Sequence, residues 1–204
     1  MELAYLRSLG DRINGGSPTL IGEFGIPYDL NDGESFARWE AGERGPGAWK
    51  AQVTALELTY DAMDALLLSS TQWNYTSSNR NDLRIGDGWN QEDLSVFSRD
   101  QQTTPYDPAS GGRAVEGFCR PYVQRTQGVL KSMQYHTQKR ILTAEIHADP
   151  AVPAQTEIYW PVRLAPDLNV HLIGVAAEWT YSRINQQIRI WARTAGDLRI
   201  SIQH

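Results

Sequence analysis

The sequence predicts an α/β segment followed by an all-β sandwich, and three observations carry that reading. Helix-like and strand-like runs alternate through Tyr75, the order of βα units. Beyond Arg120-Pro121 the pattern turns to short runs of apolar or alternating residues, with turn signals at roughly 8–12-residue spacing, as in a sandwich. Between the two lies a polar stretch, Thr76 to Gly112, with Asp, Asn, Gly and Pro throughout. The boundary is placed so that residues 1–122 form the α/β segment and residues 123–204 the sandwich.

Taken in order, Glu2 to Ile13 carries Leu3, Leu6, Leu9 and Ile13 at helical spacing, and Asn14-Gly15-Gly16 stops the helix. Ser17-Pro18 leads into Thr19 to Gly25, a short apolar run that suits a strand buried on both faces in a parallel sheet. An acidic, Gly-rich stretch from Ile26 to Gly47 reads as a long connection. Ala48 to Leu68 is the longest helical pattern, with Val53, Leu56, Tyr60, Met63 and Leu67 on one face, and Leu68 to Tyr75 reads as the next strand. Long connections after the strands are where such folds place their sites, and the length of the loop from Thr76 to Gly112 assigns it a functional role on the same grounds. Gly111 to Phe118 has the pattern of a short helix. Strands are then expected at Val129–Thr137, Arg140–His147, Glu157–Trp160, Asn169–Gly174, Glu178–Tyr181, Gln187–Trp191 and Leu198–Ile202. No internal repeat or low-complexity tract is visible.

Composition bounds the function. The 204 residues are 41% apolar and 21% charged, an ordinary globular balance with ample material for a core. Net charge is -5 with no basic stripe, which argues against nucleic acid as a partner. The single cysteine, Cys119, forms no intrachain disulfide and reads as a small buried hydrophobe. No apolar stretch approaches the roughly 20 residues of a transmembrane helix. Met1 to Arg7 lacks the order of a signal segment and reads as a helix already under way. Seven Trp and nine Tyr against four Phe supply flat faces with polar edges, suited to stacking on sugar rings as well as to core packing.

Glu23 ends the first predicted strand, beside Gly22 and close to Gly25. A carboxylate at the C-terminal end of a parallel strand can point into a shared cavity, and neighbouring glycines admit close approach. A structural Glu closing a strand has the same local pattern. Trp73-Asn74-Tyr75 ends the next strand-like run and would lie beside Glu23 if the two strands are neighbours; a Trp there can floor a sugar subsite or simply pack. His136, His147, His171 and His204 have no metal-ligand spacing, and no Ser-His-Asp signature is visible. Gly86-Asp87-Gly88 lacks the strand-turn-helix setting of a phosphate loop, and Asn74-Tyr75-Thr76 fits the common glycosylation triplet.

Those residues carry a family resemblance. Pro18-Thr19-Leu20-Ile21-Gly22-Glu23-Phe24-Gly25 resembles the seventh-strand motif of glycoside hydrolase family 5, whose Glu is the nucleophile of a retaining mechanism. Trp73-Asn74-Tyr75 resembles the eighth-strand motif, whose Trp lines the sugar subsite. The loop Gly86-Asp87-Gly88-Trp89-Asn90-Gln91-Glu92-Asp93-Leu94-Ser95 is similar to that of the branch holding endoglycoceramidases, glucosylceramidases and steryl β-glucosidases. Gly111-Gly112-Arg113-Ala114, Arg120-Pro121-Tyr122 and Thr156-Glu157-Ile158-Tyr159-Trp160-Pro161 resemble the same branch, the last within its C-terminal sandwich. The resemblance runs from about residue 17 to the C-terminus.

It implies the C-terminal portion of a (β/α)8 TIM barrel, strands seven and eight, followed by an antiparallel β-sandwich. It implies a retaining hydrolase of β-glucosidic bonds, with glycolipids such as glucosylceramide or steryl glucosides as substrates. Glu23 would be the nucleophile, Trp73 and Asn74 would bind substrate, and Asn79, Trp89 and Asn90 would line the rim. No metal or organic cofactor is implied, because both steps of the reaction use carboxyl groups. The family takes its acid/base Glu from a pair after the fourth strand, which has no counterpart in this sequence. The resemblance therefore implies a fragment, inactive by itself and open to self-association through unpaired barrel edges. Asp87, Glu92 and Asp93 have no support in the family pattern as substitute acids. A different reading is a non-catalytic sandwich that binds carbohydrate or a lipid surface through Tyr159, Trp160, Trp179 and Trp191. It requires those aromatics on one exposed sheet face.

Overall fold

The structure, a computed structural model, describes residues 2–204 apart from Asn14, residues 89–91, Pro108 and Ala165. It divides into two compact units, Met1–Tyr60 with Leu68–Phe118, and Asp61–Leu67 with Cys119–His204.

The first unit holds α1 (Glu2–Arg12), β1 (Leu20–Phe24), α2 (Leu30–Glu40), most of α3 (Lys50–Ala65), β2 (Ser69–Gln72) and α4 (Val115–Phe118). Strands β1 and β2 pair in parallel, with Leu20 opposite Ser69, Ile21 opposite Ser70 and Phe24 opposite Gln72. Parallel neighbours need a crossover between them, and the helical pattern from Ala48 onward supplies it as α3. The apolar stripe of α3 builds the core: Leu56 is buried beside Tyr28, Phe36, Ala48, Trp49 and Ala114, with Phe24, Val53 and Tyr60 packed against them. Trp49 stands edge-on to both Tyr28 and Phe36, at 5.7 and 6.0 Å between ring centres, in the geometry that aromatic quadrupoles favour.

Two expectations for this unit change, and a third element forms as expected without being buried. β1 is not buried on both faces: Leu20 is 60% exposed and Glu23 is exposed as well. The sheet has two strands among the described residues, so each strand keeps an uncovered edge. The acidic stretch after β1 contains a helix, α2, where an unbroken connection was expected. Its first residues, Asn31, Asp32 and Gly33, are left-handed, so regular helix starts only at Glu34. Two aromatics three residues apart, Phe36 and Trp39, are too few to declare a period against so many acids. Lastly, α1 forms where the leucine spacing predicts it but buries none of its residues.

The second unit is an antiparallel β-sandwich. One sheet has the order β4 (Gly128–His136), β5 (Ile141–Ala148), β10 (Gly196–Gln203), β7 (Asn169–Gly174). The other has the order β3 (Tyr122–Arg125), β6 (Thr156–Tyr159), β9 (Gln187–Ala192), β8 (Ala177–Ser182). Alternation sets the two inner faces: Leu142, Ala144, Ile146 and Ala148 on β5, Ile188, Ile190 and Ala192 on β9, and Leu198, Ile200 and Ile202 on β10 are all buried. Each fully buried Ile or Leu contributes about 1.5–3 kcal/mol. The seven strands read from sequence are present within one or two residues. β3 is the addition, a four-residue strand directly after Pro121 that is too short to show alternation.

This unit also takes in the last turn of α3. Arg120 is buried and donates through Nη2 to Asp61 at 2.8 Å, to Asp64 at 2.6 Å and to the Tyr135 carbonyl at 3.4 Å. Burial is the main reason the Asp64 carboxyl is raised from 3.8 to about 6. Arg120 pulls in the opposite direction and the Asp61 charge adds to the rise.

Candidate active site

The site begins where the parallel strands end. The Trp73 amide donates to the Phe24 carbonyl at 2.7 Å, which joins the end of β2 to the end of β1. The register shifts between Ile21 and Phe24, a bulge that sets Gly22 and Glu23 against a single residue of β2. The Thr71 hydroxyl donates to the Gly22 carbonyl inside that bulge. Phe24 turns its ring edge-on to Tyr60 of α3, at 5.3 Å. Strand alternation therefore puts Glu23 on the other face, where it is exposed. Gly25 is required here: a β-carbon on it would stand 2.7 Å from the Trp73 carbonyl oxygen and 3.3 Å from the Leu94 side chain.

Beyond β2 an open cleft of roughly 450 Å³ is lined by Gln72, Trp73, Asn74, Tyr75, Thr76, Asp87 and Gly88. Trp73 and Tyr75 give it an aromatic wall, and Tyr75 leans on Phe97 at 5.2 Å. Polar groups come from Asn74 and Asp87. The Asn74 backbone donates to the Leu94 carbonyl at 3.1 Å and accepts from Val96 at 2.8 Å, so the loop returning from Glu92 runs alongside the end of β2.

The loops are fixed from beneath by one buried ion pair. Arg113 and Asp93 are both 0% exposed. Arg113 Nη1 donates to Asp93 Oδ2 at 2.7 Å, Nη2 donates to Asp93 Oδ1, and Nε donates to the Ser95 carbonyl at 3.1 Å. The guanidinium lies over the Tyr28 ring at 4.2 Å, with Trp49 at 5.5 Å and Phe36 at 5.9 Å. The Tyr28 amide donates to the Asp93 carbonyl at 2.7 Å, which ties the loop after β1 to the loop after β2. Burial pushes the Tyr28 phenol well up, and the nearby guanidinium offsets part of that rise.

The residues singled out from sequence fall as follows. Glu23, Trp73 and Asn74 come together at the ends of the paired strands. Asn79 does not sit at a rim. It is 3% exposed, and its amide donates to Asp93 at 3.2 Å and to the Phe97 carbonyl at 2.8 Å, which makes it an internal brace of the loop. Trp89 and Asn90 lie outside the described residues. Asp93 is committed to Arg113 and so cannot serve as a substitute acid. Asp87 and Tyr75, which line the cleft, were not assigned to it from sequence. A Gly-Asp-Gly turn gives a position for a carboxylate but nothing about which strand end it returns to.

The four aromatics singled out in the sandwich do not all share a face. Trp160 is fully buried and edge-on to His204 at 5.5 Å, and Tyr159 packs on Tyr122 at 5.4 Å. Trp179 pairs with Ile190 and Trp191 with Glu178, so the two exposed tryptophans leave opposite sides of one sheet. Tyr159 and Trp191 lie on the outer face of that sheet with Tyr122, whereas Trp160 and Trp179 do not, so the four aromatics do not form one exposed face.

Residues 120–202 match the glycoside hydrolase family 5 C-terminal domain. The sandwich is the part of the chain that carries this match. A glucosylceramidase of Cryptococcus neoformans var. grubii is 30% identical to the chain over 162 residues, covering 72% of this chain and 20% of that protein. A glucosylceramidase of Aspergillus fumigatus is 24% identical, covering 99% of this chain and 34% of its own length. The crystal structure of Cryptococcus neoformans sterylglucosidase 1 with tris superposes over 100% of this chain and 30% of its own, with a TM-score of 0.82 and 29% identity. Endo-glycoceramidase II from Rhodococcus sp. has the same fold, with a TM-score of 0.62 at 19% identity over 96% of this chain. The chain thus spans about a fifth to a third of the length of the curated relatives first matched. Both structural matches extend over residues of the α/β unit as well as of the sandwich.

Proposed function

We propose that this chain is the C-terminal portion of a retaining β-glucosidase acting on glycolipids such as glucosylceramide or a steryl glucoside. On this reading residues 1–122 belong to a (β/α)8 barrel in which β1 and β2 are the seventh and eighth strands, and residues 123–204 are its sandwich. Glu23 attacks the anomeric carbon to form a glycosyl-enzyme, and water then releases the sugar. Trp73 presents its face to the sugar ring, with Asn74 beside it. A retaining mechanism uses a second carboxyl group about 5–5.5 Å from the nucleophile as acid/base. That group belongs to a part of the enzyme outside this chain, so the chain alone turns over no glycolipid. The uncovered edges of β1 and β2 are where the rest of a barrel, or a second copy, would pair.

One observation carries the reading. An exposed Glu stands in a bulge at the C-terminal end of a parallel strand, one strand away from Trp73 and an open cleft. Barrel enzymes place their chemistry at that end of the strands. The names of the relatives, glucosylceramidase and ergosteryl-beta-glucosidase, support a glycolipid as substrate.

The test is a graft. This chain replaces the corresponding C-terminal part of Cryptococcus neoformans sterylglucosidase 1, and hydrolysis of a steryl glucoside is measured. The hybrid is expected to be active, and Glu23→Gln in the hybrid to lower kcat by at least about a thousandfold, the scale of removing a catalytic group. Activity that survives Glu23→Gln would refute the assignment.

A further inference from the structure

The cleft beside Trp73 contains a carboxylate to which the family resemblance gives no role. Asp87 is 6% exposed, yet it lines the cleft with Asn74 and Tyr75. Its Oδ2 accepts two hydrogen bonds, from Asn74 Nδ2 at 2.7 Å and from the Leu94 amide at 3.2 Å. The second bond fixes the carboxylate to the returning loop, and the first fixes the side chain of Asn74.

The consequence lies in the amide. Asn74 Oδ1 accepts from the Thr76 hydroxyl at 3.3 Å while Nδ2 donates to Asp87, so both ends are oriented and the amide cannot flip. A primary amide has two N–H donors and a carbonyl oxygen with two lone pairs. One donor goes to Asp87 and one lone pair to Thr76. One N–H and one lone pair are left on a residue that lines the cleft. A sugar hydroxyl, both donor and acceptor, matches that remainder, and the aromatic wall of Trp73 and Tyr75 matches the apolar face of a pyranose.

We propose that Asp87 is a positioning residue for sugar recognition: by holding the Asn74 amide in one orientation, it presents a donor–acceptor pair to a hydroxyl of the bound pyranose. Asp87 acts through Asn74 and does not touch the reacting atoms. The inference rests on the reading of the cleft as a sugar subsite.

The experiment follows the side-chain amide signals of Asn74 and the indole signal of Trp73 by NMR, in the 204-residue chain, while methyl β-D-glucopyranoside is added. Three proteins are compared: the unsubstituted chain, Asp87→Ala and Asp87→Asn. In the unsubstituted chain both residues are expected to respond to sugar with one shared affinity. In Asp87→Ala that affinity is expected to fall roughly tenfold, the scale of one hydrogen bond to a charged group. The Asn74 amide should then lose its distinct pair of signals while the Trp73 indole keeps its unliganded position. Asp87→Asn, which retains a carbonyl acceptor, is expected to recover part of the affinity. A merely structural role would move Trp73 in the free protein and would not be rescued by Asn. Equal affinity in the unsubstituted chain and Asp87→Ala overturns the role of Asp87 and leaves the sugar subsite standing. No response to sugar at either residue in the unsubstituted chain overturns both.

Discussion

Arg113 sits inside three aromatic rings with a single carboxylate to balance it, and the loops on both sides of the cleft are tied to that pair. Breaking a buried pair by removing one partner leaves the other charge without compensation, at a cost of about 3–5 kcal/mol. Arg113→Met is therefore expected to destabilise the first unit by that amount in urea unfolding. Replacing Asp93 by Leu in the same chain should recover a large part of the loss, because no lone charge then remains. A loss below about 1 kcal/mol for the single substitution would contradict this role. At the residue scale the sequence was legible in part. The Gly-Gly-Arg-Ala and Glu-Asp-Leu-Ser motifs could be picked out, but their pairing through Arg113 and Asp93 could not. The two residues are 20 positions apart, and nothing local couples them. Asn79 was misplaced for a related reason. An Asn in a polar loop looks like a surface residue until the loop is seen to fold over it.

At the scale of elements, the last turn of α3 places Asp61 and Asp64 against Arg120 within the second unit. Asp64 is raised from 3.8 to about 6 chiefly by burial, so the folded state holds this proton more tightly than the unfolded chain does. The sign follows: the stabilisation is fully present below about pH 4 and is lost as pH rises through about 6. Urea unfolding followed by the fluorescence of buried Trp160 should record it. Relative to Asp64→Asn, the unsubstituted chain should lose about 2 kcal/mol between pH 4 and pH 7. A difference that does not change with pH would show that burial does not govern this carboxyl. Elements with a clear period were legible: α3 from its apolar stripe, and the sandwich strands from alternation. α2 was not, because its packing rests on Phe36 and on hydrogen bonds such as Ser35 to Gln52 at 2.9 Å, which leave no period in an acidic segment. The burial of β1 was misread because an apolar run reports what a strand is suited to, and neighbours decide whether it is covered.

For the whole molecule, the sequence places the boundary at 122/123, whereas the compact units divide between Phe118 and Cys119. What the sequence could not reveal is that the second unit also takes residues 61–67 from the end of α3, since a helix pattern runs unbroken across that point. The proposed chemistry joins one side chain to a parallel strand pair and a cleft. It can be tested without the acid/base residue. A dinitrophenyl β-glucoside with fluorine in place of the hydroxyl next to the anomeric carbon has a leaving group that departs without protonation, and the fluorine slows release of the sugar. The measurement is the intact mass of the 204-residue chain after incubation with this reagent, followed by peptide mapping. One glycosyl adduct per chain is expected, on the peptide containing Glu23 and absent from Glu23→Gln. A label carried by another residue, or one that persists in Glu23→Gln, would contradict it.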